Sequence, residues 1–195
     1  PHMNFWNDIF NSINGLAGKN HLLDSIMIFS SKRLPYILFA TVIVVYLIGI
    51  ISKNKKARGI AVDTIVFTGI NLILAVIVGH FFYAPRPFVN DPNAKLLYPH
   101  KPDSSFPSGH SVGSMSIALG LNRYNKILGT ICVILSILMG ISRVYVGHHY
   151  PQHVVASFLI VIILNVLYIK FLSKSVQKLY FSIEKHIPIL NKLVK

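Results

Sequence analysis

Four apolar runs, at roughly residues 34–52, 60–83, 125–146 and 153–172, decide what this chain can fold into. Each is close to or above the about 20 residues that cross a bilayer core as a helix. Inside that core each backbone N–H and C=O must find a partner within its own segment, which selects helices here. Composition agrees. Of 195 residues, 53% are hydrophobic and only 13% are charged, against about a quarter charged in soluble domains. The formal charge of +13 does not describe a nucleic-acid face, because Lys and Arg flank the apolar runs. The expected class is an all-α integral membrane bundle in one domain.

Two weaker segments complete the pattern. Residues 20–31, NHLLDSIMIFSS, have helical apolar spacing but are short. Residues 109–121, GHSVGSMSIALGL, are rich in small residues, which suits a helix packed closely among others. The reading is therefore six helical segments, the first and fourth short or partly re-entrant. The boundaries expected are an appended remnant and start Met at 1–3, an interfacial segment at 4–19 and a membrane domain at 20–172. An amphipathic tail at 173–195 follows. No cleavable signal peptide is evident, and Cys132 is read as a small core residue that cannot form a disulfide within the chain. Six segments put both termini on one side, together with the basic loops 52–59 and 122–126. The positive-inside rule makes that side cytoplasmic and turns loops 84–108 and 143–152 outward.

The unusual polar residues lie in those two outward loops. The first holds Arg86 between two prolines, then Ser108, Gly109 and His110 opening a helix. The second holds Arg143 and the stretch GHHYPQHVV, with His148, His149 and His153. Arginine forks suit phosphate oxygens, amides at a helix N-terminus favour anions, and a histidine titrating near neutrality serves as nucleophile or general acid. Together they describe a phosphate site. One arginine near a helix end would be an ordinary membrane anchor; two arginines, a Pro-Ser-Gly-His turn and a histidine cluster on one face are not.

These motifs resemble the type 2 phosphatidic acid phosphatase superfamily, whose pattern is Lys-x6-Arg-Pro, Pro-Ser-Gly-His and Ser-Arg-x5-His-x3-Asp. Arg86-Pro87 matches the end of the first, residues 107–110 the whole second, and Ser142, Arg143 and His149 most of the third. Within the superfamily the pattern is most similar to bacterial undecaprenyl-diphosphate phosphatases of the bacitracin-resistance type. The resemblance implies hydrolysis of undecaprenyl diphosphate to the monophosphate, in recycling of the cell-wall lipid carrier at the plasma membrane. It implies His149 as nucleophile through a phosphohistidine, and His110 as general acid and then base. Arg86, Arg143, Ser108 and the Gly109 amide would hold the phosphoryl oxygens. No cofactor and no metal are implied. The six acids in the chain are too few and too scattered for a carboxylate-built magnesium site.

Two positions depart from the pattern. The first-motif lysine falls on Gly79, with Lys101 as a candidate substitute for its charge. The orienting aspartate falls on His153. Without a carboxylate to hold the nucleophile in one tautomer, weaker activity is expected than with aspartate. Alternatives stay open: phosphatidylglycerophosphate or another lipid phosphate as substrate, or an impaired member that binds lipid phosphates without turnover. A register with His148 as nucleophile, which puts Gln152 in the orienting place, and a zinc site on the His149–His153 spacing also stay open. His21, His100 and His186 are read as interfacial, Asp63 and Asn71 as packing residues. The partners expected are a polyprenyl diphosphate lipid and the membrane, with no nucleic acid.

Overall fold

The computed structural model describes residues 5–194; the remnant expected at 1–3 lies outside them. Among the described residues the regular structure is entirely helical. α1 (Phe5–Asn14) precedes four long helices: α2 (His21–Ile51), α3 (Lys55–Phe81), α6 (Lys126–Tyr145) and α7 (Pro151–Phe171). Between α3 and α6 come the short α4 (Pro87–Asn90) and α5 (Gly109–Asn122); α8 (Ser173–His186) and α9 (Pro188–Val194) follow α7. Local chemistry sets the starts. Asn20, Asn54 and Asn125 each accept a hydrogen bond from the amide three residues on, at 3.0, 3.0 and 2.9 Å, so asparagine caps open α2, α3 and α6. Pro151 begins α7, where its missing N–H costs nothing.

α5 is the central helix, packed against α2, α3, α6 and α7. Its small residues permit this. A Cβ on Gly120 would lie 2.4 Å from the Thr64 hydroxyl oxygen, so only glycine allows α3 and α5 to approach this closely. Serines tie the rest: Asn71 donates to Ser116 at 2.8 Å, and Ser114 and Ser136 share a 2.6 Å hydrogen bond. The four long helices are each long and apolar enough to cross a membrane. They turn large side chains such as Ile73, Val76, Ile163 and Val166 outward, where lipid would cover them.

The two ends of the bundle differ. At one end Tyr145 donates to Asp24 at 2.7 Å, and Asn14 donates to the carbonyls of Lys95 and Tyr145, both at 2.9 Å. At the other, Arg58 donates to Glu184 at 2.8 Å and to the Gly49 carbonyl at 3.0 Å. Buried Asp63 gathers Tyr168, Ser173 and Arg123 toward that same end.

This corrects the expected topology. Residues 20–31 and 34–52 are not two segments; they form the single 31-residue α2. Pro35 sits inside it, in a setting where helices tolerate proline. At about 1.5 Å per residue α2 is about 46 Å long, so its first turns extend past the bilayer core. Lys32 sits there over the Tyr98 ring at 4.3 Å. Five helices, α2, α3, α5, α6 and α7, therefore run between the ends instead of six. α1 lies at the Tyr145 end and α8 at the Glu184 end, so these two helices are at opposite ends of the bundle.

Candidate active site

Between α3 and α5 the chain makes a long excursion at the Tyr145 end, and there the polar residues meet. Arg86 stands between Pro85 and Pro87, which hold it extended at φ −77° and ψ 154°. Its guanidinium is buried, and four of its five N–H groups are engaged. It donates to Asp103 at 2.7 Å, to the His148 carbonyl at 2.8 Å, to His149 Nε2 at 2.9 Å and to the Ser104 carbonyl at 3.1 Å. Burial lowers its pKa and Asp103 opposes that; it stays a cation.

His149 is 1% exposed. A guanidinium can only donate, so Nε2 facing Arg86 is the unprotonated nitrogen. Nδ1 then carries the proton and donates to the Ser105 carbonyl at 2.8 Å. Burial, then the charges of Arg143 and Arg86, hold this imidazole well below the ordinary histidine pKa. The ring is neutral, the form in which a histidine acts as a nucleophile, and its Nε2 lone pair is engaged by the Arg86 guanidinium.

Arg143 ends α6 with 2% exposure. One guanidinium nitrogen donates to the Ser31 and Tyr98 hydroxyls at 3.2 and 3.0 Å, while Nε and the other terminal nitrogen have no partner. Buried donors without acceptors are rare in folded proteins, and these two are free to bind an anion or water. His110 opens α5 and lines a cavity of about 490 Å³ with Arg86, His149, Gly109, Gly79, His80, His100 and Asp103. A second, apolar groove of about 550 Å³ runs between α2, α3 and α5 past Pro35, Phe39, Val42, Ile65 and Ile117. Leu72, Gly109 and His110 line both.

Some expected residues fall elsewhere. Lys101 is exposed and does not line the cavity. Position 79 does, but a Cβ there would meet the Phe106 carbonyl at 3.2 Å. Ser108 is fully buried as the cap of α5, accepting from the Ser111 amide at 3.4 Å and hydroxyl at 2.9 Å. His153 makes no direct bond to His149; its Nδ1 meets the Ser105 hydroxyl at 2.8 Å. His148 is buried against Tyr98 and His100, its Nε2 on the Tyr98 carbonyl at 3.0 Å, with burial pushing it down to about 2. That ring is packing, and it leaves the cavity to His149.

Four residues here were not singled out as site residues from the sequence. His100, read as interfacial, lines the cavity. Asp103 pairs with Arg86, Tyr98 with Arg143, and Ser105 touches both His149 and His153.

Residues 60–177 match the PAP2 superfamily profile. The chain belongs to the PAP2 superfamily. It is 32% identical over 189 residues to the undecaprenyl-diphosphatase BcrC of Bacillus subtilis (strain 168), covering 96% of this chain and 95% of that protein. Among solved structures it resembles Aquifex aeolicus LpxE, with a TM-score of 0.66, 28% identity and coverage of 85% and 94% of the two chains. A PAP2-type phosphatidylglycerolphosphate phosphatase from Bacillus subtilis shares the fold, with a TM-score of 0.66, 22% identity and 89% of each chain covered. The three polar motifs of this PAP2 chain are the segments that build the cavity wall and its backing.

Proposed function

We propose that this protein is a membrane phosphatase that hydrolyses undecaprenyl diphosphate to undecaprenyl phosphate through a phosphohistidine on His149. The observation that carries the reading is the junction of the two cavities. A polar chamber that holds buried His149 adjoins an apolar groove between α2, α3 and α5, with Leu72, Gly109 and His110 lining both. A substrate that fits both has a phosphorylated head and a long hydrocarbon chain. The relative BcrC of Bacillus subtilis, named an undecaprenyl-diphosphatase, supports that choice of lipid.

In the reaction Arg86 turns its N–H from His149 to the phosphate, and the freed Nε2 lone pair of His149 bonds to the terminal phosphorus as the bridging P–O bond breaks. The electron pair leaves on the oxygen of undecaprenyl phosphate, which His110 protonates. Water then bonds to phosphorus, His110 takes its proton, and the N–P pair returns to Nε2 as inorganic phosphate departs. Arg86 and the unpartnered nitrogens of Arg143 stabilise the charge on the equatorial oxygens, with the Gly109 amide at the α5 N-terminus.

The site end is assigned to the outer face. Lys53, Lys55, Lys56, Lys170, Lys174 and Lys178 concentrate at the Glu184 end, which the positive-inside rule makes cytoplasmic. Such a site would serve lipid-carrier recycling and resistance to bacitracin. The chemistry needs no metal, since the arginines neutralise the phosphate.

Phosphate release by purified protein in EDTA tests this, with undecaprenyl diphosphate and phosphatidylglycerophosphate compared and His149→Ala as control. Expected are faster release from the diphosphate and none from His149→Ala. Faster release from phosphatidylglycerophosphate would change the substrate, loss in EDTA would bring in a metal, and silence with both lipids would leave a binding protein.

A further inference from the structure

We propose that Ser105 is the positioning residue for the nucleophile in this chain, and that His153 acts only through it. The inference rests on His149 being the nucleophile. An attacking imidazole needs its remote N–H held by an acceptor, which fixes the tautomer and steadies the positive charge that forms on phosphorylation. In this protein that acceptor is on the loop before α5. The Ser105 carbonyl takes the His149 Nδ1 proton at 2.8 Å, and the Ser105 hydroxyl oxygen lies 3.4 Å from the same nitrogen. Ser105 is fully buried.

The hydroxyl has one proton and two lone pairs. It sits 2.8 Å from His153 Nδ1. When its proton is given to that nitrogen, only lone pairs face His149 Nδ1–H. The hydroxyl then joins the carbonyl as a second acceptor. His153 thus orients the hydroxyl, the hydroxyl faces the nucleophile, and no carboxylate is required at position 153. The Ser157 hydroxyl fastens the arrangement, accepting from the Ser108 amide at 2.9 Å and donating to the His153 carbonyl at 2.6 Å. These two bonds tie α7 to the start of α5 beside Ser105.

The geometry predicts which substitutes work. The Oδ1 of asparagine is two bonds from Cβ, as histidine Nδ1 is, whereas the terminal amide of glutamine reaches the position of Nε2. His153→Asn should keep the bond to Ser105, and His153→Gln should lose it. His153→Ala and Ser105→Ala should each lower kcat about tenfold, the size of one hydrogen bond, with KM unchanged. The double variant should fall no further than either single variant. Inhibition by inorganic phosphate, measured on each variant, should stay as in wild type and so show an intact anion site.

Equal activity of His153→Asn and His153→Gln overturns the proposal, as do additive losses in the double variant or a loss confined to KM. If Ser105→Ala and His153→Ala fail to fold, the comparison of asparagine with glutamine still decides it. Failure of the underlying reading looks different: His149→Ala would then retain turnover.

Discussion

With His149 as the proposed nucleophile, the acid limb of the proposed reaction belongs to His149, because an imidazole attacks phosphorus only from an unprotonated nitrogen. Its neighbours are cationic or neutral: Arg86 on Nε2, Arg143 behind it, and His110, His100, His148 and His153 around it. Asp103, the acid on the cavity wall, is bound to Arg86. Burial and the two arginines disfavour the proton, so the ring stays reactive below the ordinary value of 6.5. On its acid side the free-enzyme profile of kcat/KM should therefore show no decline until the pH is below 6.5, where His149 takes up a proton. A limb at or above 6.5 would mean that the ring titrates normally. Arg86, His110 and His149 were legible as candidates because side-chain type and spacing carry phosphate chemistry. Ser105 was not, since it offers His149 a backbone carbonyl, which every residue has. Lys101 was suggested by its charge and its loop alone, and the chain turns it to solvent.

At the scale of helices, small residues set the geometry that the site uses. Gly120 lets α5 lie on Thr64 of α3, and Gly120→Ala puts a methyl 2.4 Å from the hydroxyl oxygen and 2.5 Å from the methyl of Thr64. Overpacking of this kind costs about 1–3 kcal/mol. Thermal unfolding in detergent should show that loss, and Thr64→Ala added to it should recover part, because it removes both of the nearest atoms. Gly113 plays a different role. It lines the apolar groove, and a Cβ there meets only Leu72, at 3.5 Å, an ordinary contact. Gly113→Leu should fold and fill the groove. KM for undecaprenyl diphosphate should rise, with hydrolysis of a short water-soluble diphosphate ester unchanged. Equal losses on both substrates would show that the lipid chain lies elsewhere. The apolar runs announced α3, α6 and α7, and the serine-rich stretch announced α5. The sequence SSKRLP concealed the continuity of α2. Two charges and a proline read as a break, yet Ser31 is buried against Tyr98 and Lys32 rests on its ring.

For the whole molecule, merging two segments into α2 changes the side on which α1 lies relative to α8. With six segments α1 and α8 share a side; with five passes they do not. α1 is fastened to the site end through Asn14, and Lys95 returns the contact with its ammonium on the Gly15 and Ala17 carbonyls at 3.2 and 2.8 Å. α8 is fastened to the opposite end by the buried Arg58–Glu184 pair. The charge argument survives the revision, because the lysines of the 52–56 turn and of α8 stay together at the Glu184 end. Cys132, the one cysteine in the chain, is buried and gives little background for thiol labelling. Leu16→Cys and Lys178→Cys report on the two ends, Leu16 being exposed beside α1 and Lys178 exposed on α8. A membrane-impermeant maleimide should label Leu16→Cys in intact cells and reach Lys178→Cys only after permeabilisation. Labelling of both variants only after permeabilisation would restore the six-segment topology. The reverse pattern would turn the phosphatase site toward the cytoplasm.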